Sequence, residues 1–215
     1  MNRLNRYIDH TILKAEATTS DIKKLCKEAK EYDFFAVCIN SSYVSLAKKE
    51  LINSKVKIAS VVGFPLGASH TMVKVAETEM AVSEGANEID MVLKVGALKE
   101  GRYNDVLSDI KAVVEAAHKG GAIVKVILET CLLTDKEIIQ ACKLSMEAGA
   151  AFVKTSTGFS TGGATIHHVK LMKSTVGDVI KVKASGGIRD RAKALEMIEA
   201  GADRIGASAS VEICR

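Results

Sequence analysis

Ala148-Gly149-Ala150-Ala151-Phe152-Val153-Lys154-Thr155-Ser156-Thr157-Gly158 contains the repeating unit of the fold. It closes a helical pattern, turns on a glycine, runs through a short apolar stretch and ends in a loop of small polar residues. The helix it closes opens at Thr134-Asp135-Lys136-Glu137 and continues through Ile138, Ile139, Cys142 and Leu144. A glycine just past a helix supplies the left-handed cap, and the small residue after it lets the chain turn into a sheet. Glu84-Gly85-Ala86 and Ala200-Gly201-Ala202 repeat the same joint, each a few residues before another apolar run.

Working outward from that unit, eight Val- and Ile-rich runs read as strands: Tyr7–Thr11, Phe35–Ile39, Lys57–Phe64, Glu88–Val92, Ile123–Glu129, Phe152–Thr155, Val179–Lys183 and Arg204–Ala207. Helical periodicity fills the gaps. One helix starts near Asp21 with Ser20 as its N-cap, and another runs from Asp190 to Ala200. Strand–helix alternation without hairpin turns predicts parallel strands with helical crossovers. Eight such units over residues 1–215 predict an α/β fold, a single-domain (β/α)8 TIM barrel. The alternative is an open doubly wound sheet, which has fewer strands and normally a G-x-G-x-x-G after the first; none is present.

Composition agrees. Hydrophobic residues make up 47% of the 215, aromatics only 4%, and Trp is absent, so the core is aliphatic, as suits strands buried on both faces. A net charge of +4 with lysines scattered among acids points away from nucleic acid and is compatible with a small anionic substrate. Five cysteines without a CxxC pair suggest neither a disulfide framework nor a zinc site, and a reducing cytoplasm fits. Met1 to Arg6 precede no apolar stretch, and no run is long enough to span a membrane.

Barrel chemistry is built at the C-terminal strand ends. Two lysines stand there on strands six and seven: Lys154, and Lys183 in Val182-Lys183-Ala184-Ser185-Gly186-Gly187. Adjacent strands lie about 4.8 Å apart, so inward-facing ammonium groups would approach closely. A free lysine has a pKa of about 10.4, leaving roughly one amine in 2,500 neutral at pH 7. A second cation about 5 Å away, at an effective dielectric near 20, contributes about 3 kcal/mol, or roughly two pKa units. Such a pair generates the neutral amine that a Schiff-base nucleophile needs. The bland alternative, outward lysines or lysines paired with carboxylates, is the commoner fate of any one such residue. Lys181 and Lys125 share faces with Lys183 and Glu129 and would need partners of their own. Asp90 is the best candidate for proton transfer, or for holding a lysine in place. Asp9 and Glu129 are weaker candidates, and Cys38 reads as packing. Loops at Thr157-Gly158, Ser185-Gly186-Gly187 and Gly206-Ala207-Ser208 expose backbone N–H groups suited to phosphate. His167-His168 has no carboxylate or Cys at metal-ligand spacing, so a surface position is expected.

Phe152 to Thr165 resembles the Schiff-base signature of the deoxyribose-phosphate aldolase family, and Val182 to Arg189 resembles its second-lysine motif. Ile8-Asp9-His10-Thr11, Val62 to Gly67, Glu88 to Val92 and Leu128-Glu129-Thr130 match in order, so the resemblance runs from about Asp9 to Ser208. It implies reversible cleavage of 2-deoxy-D-ribose 5-phosphate to D-glyceraldehyde 3-phosphate and acetaldehyde, in deoxyribonucleotide catabolism. Lys154 would form the imine, Lys183 tune it and Asp90 move protons. Gly158, Gly186, Gly187, Gly206 and Ser208 would hold the phosphate, with Asp9 and Thr157 in a supporting polar network. The resemblance further implies no metal, no organic cofactor and a homo-oligomer, dimer or higher. The chain departs from the family pattern at Ser41, Lys94, Lys181 and the Gly206–Ser210 loop. Longer relatives end in a tail whose tyrosine helps proton exchange; with Arg215 as the last residue, that exchange would be expected to fall to water or not to occur. Another Schiff-base or isomerase barrel, or a phosphosugar-binding regulator on the same scaffold, are the competing readings.

Overall fold

A computed structural model describes residues 4–215; Met1, Asn2 and Arg3, part of the N-terminal reading, lie outside the described residues. The chain runs β1 (Ile8–Thr11), α1 (Thr19–Glu31), β2 (Ala36–Ile39), α2 (Val44–Glu50), β3 (Lys57–Val62), α3 (Thr71–Glu84), β4 (Glu88–Val92), α4 (Val95–Lys99) and α5 (Tyr103–Lys119). It continues through β5 (Ile123–Ile127), α6 (Asp135–Glu147), β6 (Phe152–Lys154), α7 (Ile166–Val176), β7 (Lys181–Ser185), α8 (Arg191–Glu199), β8 (Arg204–Ala207) and α9 (Ser210–Cys214). The strands pair in chain order, all parallel, and β8 closes on β1. The predicted (β/α)8 barrel is therefore the fold, and the open sheet is excluded.

Several boundaries differ from the sequence reading by one or two residues, and two of them have a clear physical reason. The cap of α1 is Thr18, not Ser20. Thr18 is extended, and its hydroxyl accepts from the Asp21 amide. The Asp21 carboxylate in turn accepts from the Thr18 amide at 2.8 Å, a reciprocal box that leaves Ser20 inside the first turn. Strand β7 starts two residues later than expected, because the Lys181 amide donates to Ala151 O at 3.0 Å and the ladder begins there. Val179 is left outside, 76% exposed. Lys183 thus sits within its strand rather than at its end.

A buried ion pair ties the outer layer to the barrel. Lys74 of α3, fully buried, reaches Asp109 of α5 at 2.6 Å and donates to the Val92 carbonyl at 2.9 Å. Lys94, one of the departures from the family pattern, completes this cluster at 3.2 Å from the other Asp109 oxygen. Burial pushes the Lys74 pKa down, and Asp109 offsets it. Asp109→Ala would strand that ammonium, so unfolding stability should fall by about 3–5 kcal/mol. Urea denaturation checks this, and a loss below about 1 kcal/mol would show that the pair is dispensable.

Candidate active site

The alternation of strand side chains sends one set into the barrel. In β4 to β8 and in β1, that set includes charged residues. Register places Asp90 opposite Lys125, Lys154 opposite Lys183, and Lys183 opposite Arg204. Asp90 is the hub. Its Oδ2 accepts from Lys154 Nζ at 2.8 Å and from Lys183 Nζ at 2.9 Å, while Oδ1 accepts from Lys125 Nζ at 2.6 Å. Lys183 also donates to Asp9 at 2.5 Å, and Asp9 accepts from Arg204 at 2.8 Å. Glu88 takes Lys125 at 2.6 Å and Arg204 at 3.3 Å. The Arg204 guanidinium stacks 3.4 Å over the Phe35 ring.

Four cations therefore face three carboxylates, and all seven residues are buried. Burial alone would neutralise such groups; mutual pairing outweighs it. Asp90 is desolvated, yet Lys125, Lys154 and Lys183 hold its pKa well below the carboxylate range. Asp9, likewise buried, is brought to about 2 by Lys183, Arg204 and Lys125. Lys183 loses solvation but gains Asp9 and Asp90, which raise its pKa above that of a free lysine. With one excess positive charge, loss of a single ammonium proton would bring the cluster to neutrality.

The two possibilities for Asp90 are thus not equal in the free protein, where it is an ionised anchor for lysines. Lys181, expected on the face of Lys183, opens β7 at an exposed position and lies 5.9 Å from the Phe152 ring. Cys38 is buried with its thiol 3.8 Å from Asp90, and burial raises its pKa, as befits a packing residue.

Above the cluster opens a cavity of about 260 Å³. Its lining includes Lys154, Thr157, Gly158, Gly186, Gly187, Gly206 and Ser208, so every residue nominated for phosphate borders one space with Lys154. Lys183, Asp90 and Asp9 are not in the lining; they lie fully buried beneath it. Gly206 has a second reason for being glycine. A Cβ there would sit 3.0 Å from Lys183 Cε, so its absence makes room for that side chain. Gly187 has φ +76°, which a larger residue adopts only under strain. Glu129, itself at φ 56°, accepts from the Thr157 amide at 3.2 Å and from its hydroxyl, fixing that residue at the rim.

Sequence reasoning missed Glu88 and Arg204 as partners, and Lys14 and Arg189 as exposed cations at the same cavity. The signal for the first two was present: charged residues inside otherwise apolar strand runs require inward partners.

Fold and site together define a (β/α)8 barrel with a lysine cluster at its C-terminal mouth. The chain belongs to the DeoC/LacD aldolase family, whose model matches residues 4–214. It is 60% identical over 210 residues to the deoxyribose-phosphate aldolase of Clostridium tetani, covering 98% of this chain and 97% of that one. The corresponding enzyme of Alkaliphilus oremlandii is 61% identical over 208 residues, covering 97% and 93%. The solved structure of the tetrameric deoxyribose phosphate aldolase of Aeropyrum pernix superposes with a TM-score of 0.93 at 36% identity, covering 98% of this chain and 89% of that one. Among the described residues, no helix is long and apolar enough to cross a membrane.

Proposed function

We propose that this enzyme reversibly cleaves 2-deoxy-D-ribose 5-phosphate into D-glyceraldehyde 3-phosphate and acetaldehyde through an imine on Lys154. The observation that carries the reading is that, of the four cations in the buried cluster around Asp90 and Asp9, Lys154 alone lines the cavity. The lysine amine attacks the aldehyde carbon of the open-chain sugar, and water leaves. The resulting iminium at C1 takes up the electron pair of the C2–C3 bond, which becomes the C1=C2 bond of an enamine, as the sugar's C3 hydroxyl gives up its proton and C3 becomes the new aldehyde carbon. Glyceraldehyde 3-phosphate departs, the enamine is protonated at carbon, and hydrolysis frees acetaldehyde.

In this scheme Lys183 is the fixed charge that favours a neutral amine on its neighbour. Asp90 orients both lysines and takes part in proton transfer at the enamine stage, when the Lys154 nitrogen has lost its charge. Backbone N–H groups around Gly186, Gly187, Gly206 and Ser208, with Lys14 and Arg189, attract the phosphate. Asp9 supports Lys183, and Glu129 holds Thr157. Such a substrate belongs to deoxyribonucleotide catabolism in the cytoplasm. Self-association accompanies this reading, supported by the tetramer of the Aeropyrum relative and by Met72, Val73 and Met80 exposed on α3.

The test compares the 5-phosphate with free deoxyribose while acetaldehyde release is monitored. The phosphate should raise kcat/KM by at least about a hundredfold, the scale of a charge-assisted contact or two. Ser208→Asp, at an exposed lining position whose backbone makes no demand for glycine, should raise KM for the phosphate roughly tenfold or more by like-charge repulsion and leave free deoxyribose little affected. Equal kcat/KM for the two sugars would refute the assignment of these loops.

A further inference from the structure

The helix starts of α6 and α7 meet beside the mouth, where the His167-His168 pair plays no part in the aldol reading. The pair does not stand alone. His167 Nε2 lies 3.0 and 2.9 Å from the two oxygens of Asp135, the first residue of α6. The two imidazole rings are 5.5 Å apart, tilted by 56°. One potential ligand atom from each of Asp135, His167 and His168 lies within 4.8 Å of the other two. His168 Nδ1 is buried and has no hydrogen-bond partner among the described residues. None of the three lines the cavity above the lysine cluster.

We propose that Asp135, His167 and His168 bind one divalent transition ion, Zn²⁺ or its spectroscopic substitute Co²⁺, clamping the start of α7 to the start of α6. Two imidazoles and a carboxylate form a donor set suited to these ions and too rich in nitrogen for Mg²⁺ or Ca²⁺. Ligands about 2 Å from a tetrahedral ion lie roughly 3.3 Å apart. Rotation of His167 and Asp135, both exposed side chains, closes that gap and replaces their direct hydrogen bond with the ion. Water completes the fourth position. The positive ends of two helices oppose a cation here, so the Asp135 charge is essential and the affinity is modest. The clamp has a structural consequence. Helix α7 is entered through its cap Thr165, at the end of the loop that carries Gly158 and Phe159 into the cavity lining.

The proposal is independent of the aldolase reading and is tested without an activity assay. Protein stripped with EDTA is titrated with ZnCl₂ while its melting temperature is followed, and with CoCl₂ while visible absorption is recorded. Zinc at a hundredfold excess over its Kd should raise Tm by about 5–10 °C. Cobalt should give the visible bands of a low-symmetry site with one equivalent bound. His168→Gln, Asp135→Asn and His167→Gln should each melt like the stripped wild type and lose both responses. These are surface or half-buried positions, and the Thr134–Glu137 capping box of α6 stays in place. No Tm shift and no cobalt bands in the wild type would overturn the proposal. So would responses that survive all three substitutions, which would place the ion on one of the five free cysteines or elsewhere.

Discussion

Lys154→Met should lower kcat/KM by at least about 10⁴-fold, equivalent to roughly 5.5 kcal/mol of lost transition-state stabilisation. The only other lysine lining the cavity, Lys14, is solvent-exposed and outside the Asp90 cluster, so no second amine there has the environment of Lys154. The variant should fold. Asp90 keeps Lys125 and Lys183 as partners at 2.6 and 2.9 Å, and removal of one cation balances three positive groups against three carboxylates. Substrate plus borohydride should add a reduced adduct to the wild type on the peptide containing Lys154, and none to the variant. An adduct mapped to Lys183, Lys181 or Lys125, or substantial activity left in Lys154→Met, would overturn the assignment.

The barrel was legible in the sequence because its signals are local and repeated. The Gly-Ala joints at Gly85, Gly149 and Gly201 all carry a positive φ, as the helix-to-strand turn requires. All eight apolar runs contain a strand. The errors fell where a side chain or a ladder bond decides the boundary: the Thr18 hydroxyl at the start of α1, and the Lys181 amide at the start of β7. The site was legible to the extent that charges ending apolar strands are costly without a use. That logic singled out Lys154, Lys183 and Asp90, and the structure brings them together on one carboxylate oxygen. It did not reveal how the remaining charges pair. Lys125 and Glu88 lie on neighbouring strands, but Asp9 and Arg204 meet only because β8 closes on β1, 195 residues apart in sequence. Closure is a property of the whole chain, and no local pattern carries it. The same holds for Asp135 and His167, joined only by the packing of α6 beside α7.

Lys183→Leu should reduce kcat/KM at pH 7 by at least about a hundredfold, with partial recovery as pH is raised toward 9. In the folded protein Lys183 is buried, yet Asp9 and Asp90 raise its pKa, so it is a fixed positive charge throughout the working pH range. A cation about 5 Å from the reacting amine, at an effective dielectric near 20, makes the neutral amine more accessible by about 3 kcal/mol. Removing it returns that energy as roughly two units of alkaline shift in the pH–rate profile. Arg204, 2.8 Å from Asp9, and Lys125, 2.6 Å from Asp90, keep both carboxylates paired, and the variant should remain folded. Lys183→Arg separates charge from proton transfer, because a guanidinium keeps its charge and yields no proton at these pH values. If charge governs, Arg should retain more activity than Leu at pH 7, less a penalty for crowding against Gly206, where a Cβ would already sit 3.0 Å from Lys183 Cε. The measurement is the pH–rate profile of both variants beside their melting curves. An unshifted profile for Lys183→Leu, with Arg and Leu equally inactive and equally folded, would assign Lys183 to proton transfer or geometry rather than to electrostatic tuning of Lys154.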